Sequence, residues 1–312
     1  MRFRLVDVPG EGTEDVVVAT GGAYEGSIFT GTKDGVVHRV SADGRRVDAV
    51  ANTGGRPLGI ELFPDGRLLI CDAVRGLLLV DPGDGAVEIL VTAVGGVPMR
   101  FCNNAAVAGD GTVYFSDSST VHPIAEWKAE MVEVTRTGRL LQWRPDGEVV
   151  TLLDGLAFAN GVALAGDGSF IVVAETATRT LMRRWLTGPR AGAGEVLVSD
   201  LPGYPDNLSS GGDGLIWVAL ASPRDPLVER LQRGPMWLRR GVTRIPERLQ
   251  PSERRTIRVQ AYSTEGTLVH DLSVDDQEHL DRFHMVTGVR EHDGRVWLSS
   301  LHESAIAVLE PF

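Results

Sequence analysis

Short apolar runs, rich in Val, Leu and Ile, alternate with polar punctuation along almost the whole chain, and the punctuation repeats. An Asp-Gly pair recurs at Asp65-Gly66, Asp110-Gly111, Asp167-Gly168, Asp213-Gly214 and Asp293-Gly294. The segments that follow read as strands: RLLICD, TVYFSD, SFIVVAE, LIWVAL and RVWLSS. The segments before them, such as LGIELFP, NNAAVAG and NGVALAG, read the same way. Asp-Gly between two such runs is a strong hairpin signal, because both positions of the turn favour residues that tolerate positive φ. The N-terminal segment fits the pattern with Gly21-Gly22 between EDVVVAT and AYEGSIFTG, which makes six copies. A second hairpin follows several of them, clearest in GVVHRVSADGRRVDAV, GLLLVDPGDGAVEIL and GRLLQWRPDGEVVTLL. Two hairpins make a four-stranded unit of about 45 residues, the size of a propeller blade. The predicted fold is an all-β, six-bladed β-propeller with four-stranded blades, spanning residues 1–312 as a single domain. RFRLVDV at the start is expected to complete the last blade beside IAVLE at 306–310, leaving no free sheet edge.

Two repeats run long, near 120–137 and 222–256. Both inserts have partly helical spacing and carry Trp127, Trp237 and several Met. They are expected either to roof the channel or to cover blade edges.

Composition narrows the function. The 312-residue chain has 42 acidic and 31 basic side chains, a net charge of −11. No basic patch dominates, which argues against a nucleic-acid partner. The most basic stretch, Arg239, Arg240, Arg244, Arg248, Arg254 and Arg255, reads as a solvated face. Cys71 and Cys102 match no C-x-x-C pattern and read as reduced core or channel-wall residues. MRFRLVDVPGEG lacks the apolar stretch of a signal peptide, and no run approaches a membrane span. A cytoplasmic protein with a small-molecule substrate and no membrane partner is expected; oligomeric state is not legible.

The repeats also align the candidate chemistry. Seven residues before each turn Asp stand Leu58, Asn103, Asn160 and Asp206; seven before Gly21 stands Glu14. In the sixth copy the count falls on Val286, or on Thr287 if one residue is missing. Equivalent positions in a propeller share one ring about its axis. Four of the six therefore offer oxygen, from two carboxylates and two amides. A single Asn, Asp or Glu at a strand start ordinarily serves a turn or cap; four in register across separate repeats do not fit that role. Six to eight oxygens suit Ca²⁺. A ring without His or Cys argues against Zn²⁺ or copper. The predicted ligands are Glu14, Asn103, Asn160 and Asp206, for Ca²⁺ or another divalent cation. Asn104, Asn207 and Thr287 are expected to support them.

At these residues the sequence resembles the strictosidine synthase-like proteins, within a wider propeller superfamily that includes gluconolactonases, paraoxonases and diisopropyl fluorophosphatase. The resemblance rests on GRPLGIELFPDGRLLICDAVRGLLLV, FCNNAAVAGDGTVYFSDSS, GRLLQW, LAFANGVALAGDG, LPGYPDN and EHDGRVWLSSL. It implies a six-bladed fold. In the hydrolytic branches it implies calcium ligands at an N-terminal Glu, the Asn of F-x-N, the Asn of A-N-G and the Asp of D-N, here Glu14, Asn103, Asn160 and Asp206. Two departures stand out. Thr287 replaces the Glu that strictosidine synthase would use in catalysis, and Leu58 stands where paraoxonases place a His.

The resulting expectation is a metal-dependent hydrolase of a lactone or related ester, with the ion as Lewis acid. Asp206 is the expected general base or nucleophile, and His284 and His302 are reserve proton carriers. Glu175, Asp117 and Asp72 are expected to serve turns or blade packing. The alternatives are a condensing or cyclising enzyme of secondary metabolism, and a non-catalytic binding propeller with a structural ion.

Overall fold

The structure is a computed structural model that describes residues 2–245 and 254–310. Six antiparallel, four-stranded sheets follow one another round a central channel. Blade 1 comprises Val16–Val18, Ile28–Gly31, Val36–Val40 and Val47–Asn52. Blade 2 runs from Pro57–Leu62 outward to Val87–Val91, and blade 3 from Cys102–Val107 to Val149–Leu156. Blade 4 runs from Ala159–Leu164 to Gly194–Val198, and blade 5 from Gly203–Ser210 to Leu268–Val274. Blade 6 takes Val286–His292, Arg295–Ser300 and Ala305–Glu310, and its outer strand is Arg2–Asp7. The N-terminal strand pairs from Arg2 against Glu310 to Asp7 against Ala305, which closes the ring. Each innermost strand packs against its two counterparts in the neighbouring blades.

The apolar core lies between the sheets. Leu69, Phe115 and Trp143 are packed between blades 2 and 3, and Trp217, Val286 and Leu298 between blades 5 and 6. Cys71 and Cys102 are free thiols buried in the former.

Blade 1 departs from the simple repeat. Gly21-Gly22 opens a loop with a 3₁₀ turn at Gly22–Tyr24, and the strand expected in AYEGSIFTG begins only at Ile28. Gly26 has φ +76° and its N–H bonds Ala19 O at 2.8 Å, so the chain turns back later than a two-residue hairpin would.

Both long repeats carry helices. Helix α1, Trp127–Glu133, lies in the first insert; α2, Pro226–Gln232, and α3, Met236–Thr243, lie in the second. Asp225 caps α2 by accepting from the N–H groups of Leu227 and Val228, and Pro226 needs no donor of its own there. α1 packs against α2 and α3. The basic run is partly consumed here: Arg239 Nη1 donates to Glu133 O at 2.8 Å, and Arg240 lies 3.6 Å from the Glu133 carboxylate. Arg248 and the rest of 246–253 lie outside the described residues. A fourth helix, α4 (Gln277–Arg282), and a small hairpin at Ala93–Pro98 were not foreseen from the pattern. No described helix is long and apolar enough to cross a membrane.

One local distortion recurs on the inner strands. Their pairing slips between Pro57 and Ile60, Cys102 and Ala105, and Ala159 and Val162. It slips again between Pro205 and Leu208, and between Val286 and Val289. A bulge re-aims side chains out of the ladder. The pairs released here begin with Leu58, Asn103, Asn160, Asp206 and Thr287, so Thr287, not Val286, is the sixth ring position. In blade 1 the equivalent pair, Glu14-Asp15, stands just ahead of the strand. The second residue of a pair meets the next blade. A Cβ on Gly161 would lie 2.1 Å from Leu208 N, and one on Gly288 would lie 2.8 Å from Asp15 Oδ1. Glycine is what lets these strands approach so closely.

Candidate functional site

Three bulges, and in blade 1 the segment just ahead of the strand, bring four of the ring side chains to one pocket. Glu14, Asn103, Asn160 and Asp206 all line it. They come from four different blades and are all buried. Each keeps one oxygen without a hydrogen-bond partner among the described residues: Glu14 Oε2, Asn103 Oδ1, Asn160 Oδ1 and Asp206 Oδ1. Buried polar atoms in this state are rare in folded proteins, and four of them surround this one pocket.

Neighbouring groups set the direction of each amide. Asn103 Nδ2 donates to Ser118 Oγ at 2.8 Å, which leaves its carbonyl oxygen free. Asn160 Nδ2 donates to Thr176 Oγ1 at 3.1 Å, and that hydroxyl donates to Pro205 O at 2.7 Å. The Glu14 backbone carbonyl accepts from Thr287 Oγ1 at 2.7 Å, Ser299 Oγ at 2.8 Å and Asn207 Nδ2 at 3.3 Å. Thr287 and Asn207 thus support the site by holding Glu14, and Thr287 offers no acid or base. Asn104 supports it from a neighbouring layer. Its Nδ2 donates to Asp15 Oδ2 at 3.0 Å, and its Oδ1 accepts from Val162 N at 2.8 Å, tying blades 1, 3 and 4 together.

The electrostatics favour a cation. Burial pushes the Glu14 carboxyl up to about 7, with the Arg56 guanidinium pulling the other way. Burial, and then repulsion from Glu14, holds Asp206 well above the usual carboxylate range. Two carboxylates that resist ionising together are stabilised in the charged form by a divalent ion between them. Arg56 lies 3.9 Å from Glu14 Oε2, too far for a hydrogen bond. Among the described residues no three His, Cys, Asp or Glu side chains form a metal-holding group. An ion here would rest on two carboxylates and two amides, a hard-oxygen set.

The remaining candidates fall elsewhere. Leu58, the ring position of blade 2, is fully buried among Phe101, Met131 and Phe158. His284 and His302 do not line the pocket; Met285 and Leu301, beside them in sequence, do. His284 Nδ1 instead sits 2.6 Å from the Glu303 carboxylate, with the two imidazole centroids 6.1 Å apart. Asp72, Asp117 and Glu175 do structural work at equivalent strand ends. Asp72 accepts from Val74 N and Arg75 N, Asp117 from Phe101 N and Arg139, and Glu175 from Ala157 N. Trp237 is 75% exposed, whereas Trp127 lines the pocket.

A second ring escaped the sequence reading. Two residues before the bulge positions stand Phe101, Phe158, Tyr204 and Met285, all on the pocket wall. Arg56 and Gly12 hold the same place in blades 2 and 1. Equal offsets in the repeats map onto equal places round the axis, so the count that found the first ring would have found this one at an offset of two.

The strictosidine synthase family model matches residues 103–189. The strictosidine synthase-like 10 protein of Arabidopsis thaliana is 36% identical over 257 residues, covering 79% of this chain and 67% of that protein. Among solved structures, a gluconolactonase from Xanthomonas campestris superposes with a TM-score of 0.71 at 15% identity, covering 98% of this chain and 88% of its own. The calcium-binding protein regucalcin from Agrobacterium tumefaciens gives 0.65 at 16% identity, covering 97% and 94%. The bulged ring, the closing N-terminal strand and these matches agree: the chain belongs to the strictosidine synthase-like family of six-bladed β-propellers.

Proposed function

We propose that this protein is a hydrolase of a lactone or related ester that depends on a divalent cation, Ca²⁺ first among them, held by Glu14, Asn103, Asn160 and Asp206. One observation carries the reading: four buried oxygens from four blades lack partners around a single pocket. The residues fit the ion in charge and in hardness, with two negative charges and two neutral carbonyls. When bound, such an ion supplies Lewis-acid polarisation of a carbonyl oxygen.

The chain's own groups do the rest. Ser118 and Thr176 fix the two amides, while Thr287, Ser299 and Asn207 fix Glu14. Asp206 is the carboxylate proposed to take the proton of an attacking water, since it lines the pocket with one oxygen free of hydrogen-bond partners among the described residues. The neighbouring folds support this reading: one is a gluconolactonase and another a calcium-binding protein. The condensing alternative lacks its acid–base group, because Thr287 is a hydroxyl committed to the Glu14 carbonyl. The test is to strip the protein with a chelator and assay a panel of lactones and aryl esters before and after Ca²⁺ is restored. Turnover should vanish and return; turnover that survives chelation overturns the proposal.

A further inference from the structure

A second cavity, of about 390 Å³, lies where the two inserts meet blade 4. Its walls are the segment that follows α1, the turn at 177–179 between the second and third strands of blade 4, and the facing parts of α2 and α3. It shares no lining residue with the channel pocket. In a chain of net charge −11, four of its lining side chains are Arg136, Arg179, Arg233 and Arg239, and Glu229 is the acidic one.

These charges are poorly matched. Both oxygens of Glu229 are already taken by Arg224. Arg233 stays 3.8 Å from Glu229, and Arg136 stays 3.8 Å from Glu175, both beyond hydrogen-bond reach. Arg179 is buried and fixed, 2.8 Å from Asp200 and 3.2 Å from Glu229. Arg239 is partly buried and has no carboxylate partner among the described residues. Its Nε donates to Gly234 O at 2.9 Å and its Nη1 to Glu133 O at 2.8 Å, which orients the guanidinium without neutralising it. Thr178 adds a buried hydroxyl, and its Oγ1 has no hydrogen-bond partner among the described residues. The backbone is shaped for the place as well. Val134, Arg136 and Arg179 all have positive φ, at 50°, 52° and 56°, and a β-branched residue in that region is an outlier that tends to mark a functional site.

We propose that this cavity binds a phosphate group, free or as the monoester of a small organic molecule. Arg179 and Arg239 supply fixed positive charge, and the planar fork of Arg239 suits two phosphate oxygens. Thr178 Oγ1 donates to a third, and the exposed Arg136 and Arg233 close over the anion from the rim. The volume falls within the ~300–1,000 Å³ of small-molecule sites, so an esterified group fits beside the phosphate. The site is independent of the hydrolase reading. It does touch α1, because Arg239 holds Glu133 O and Gln232 Nε2 donates to Met131 O at 2.8 Å, so an occupant should steady that helix.

The test titrates metal-free protein with inorganic phosphate, glycerol 3-phosphate and succinate in a calorimeter. Both phosphates should bind, and the tighter of the two names the source of the group. Sulfate should displace them, whereas chloride at equal ionic strength should not, which separates a site from general screening. The double variant Arg136→Gln/Arg233→Gln changes only exposed side chains. It should weaken phosphate binding ~10-fold or more, the loss of charge-assisted hydrogen bonds, with Tm and Ca²⁺ affinity unchanged. Arg239→Gln should weaken it at least as much. With phosphate bound, amide hydrogen exchange should slow at the end of α1, at 177–179 and along α2. Absence of phosphate binding, binding that survives the double variant, displacement by chloride as readily as by sulfate, tighter binding of succinate, or protection confined to other blades each overturns the proposal.

Discussion

Glu14 and Asp15 are neighbours in the chain, equally buried, yet they live in different worlds. Asp15 belongs to a layer in which polar groups are matched. It accepts from Val16 N at 2.8 Å, Ile60 N at 3.2 Å and Asn104 at 3.0 Å, and it feels the partly buried Arg290, which is paired with Glu61. The layer of Glu14, Asn103, Asn160 and Asp206 leaves an oxygen unpartnered on every member. Asn103 and Asn104 repeat the contrast, one with a free carbonyl oxygen and the other with both ends of its amide engaged. Asn207 is intermediate: its Nδ2 holds the Glu14 carbonyl while its Oδ1 stays unpaired. Burial alone therefore does not mark function. The difference between a structural polar layer and a site is whether the fold supplies the partners.

That comparison can be broken from either side. The largest effect is expected in the unmatched layer. Asp206→Asn should weaken Ca²⁺ binding at least ~100-fold, beyond the 10–100-fold typical of groups that merely support a ligand. In chelator the same variant should be as stable as the parent or more so, because it removes the repulsion between two buried carboxyls, Glu14 and Asp206. Titration calorimetry and urea unfolding read the two effects; a variant that binds Ca²⁺ like the parent would remove Asp206 from the ligand set.

Asn104→Ala attacks the matched layer and should behave in the opposite way. It leaves Asp15 and Val162 N short of partners, so the protein should lose about 2–4 kcal/mol of stability. Urea unfolding measures this. Stability unchanged within about 0.5 kcal/mol, the size of an ordinary surface substitution, would show that the layer is not held as described.

The smallest effect is the dependence on pH. Burial lifts Glu14 from 4.5, and Asp15 from 3.8, to about 7, and it lifts Asp206 as well. Raised folded values mean that the folded protein binds more protons than the unfolded chain between roughly pH 4 and 7. That contribution to stability is full below this window and is lost as the pH climbs through 7. In chelator the Tm should be several degrees lower at pH 8 than at pH 5. Saturating Ca²⁺ should restore most of the difference, since Glu14 and Asp206 would then be neutralised by the ion, leaving only the share of Asp15. A Tm that does not respond to pH in chelator would contradict the burial that raises these carboxyls.

The repeat made much of this legible in one dimension. Asp-Gly turns at fixed spacing set the number of blades, and counting from them reached Glu14, Asn103, Asn160 and Asp206, because a propeller maps equal sequence offsets onto equal places round an axis. The same offset left Val286 and Thr287 undecided, and a bulge chose Thr287. Counting also missed the aromatic wall two residues upstream, since Phe and Tyr before a strand look like ordinary core. His284 and His302 attracted attention by residue type, but Met285 and Leu301 hold the pocket wall beside them.

Strand order, five of the six ring positions and the hard-oxygen character of the ring were therefore determined by the sequence alone, through local pattern and period. Only the tertiary structure decided which member of each polar pair is satisfied. The partners that decide it come from other blades: Thr287 and Ser299 reach Glu14 from the far end of the chain, and Val162 reaches Asn104 from the next blade. Hydrogen-bond satisfaction is a property of groups brought together in space, and no periodicity along the chain encodes it.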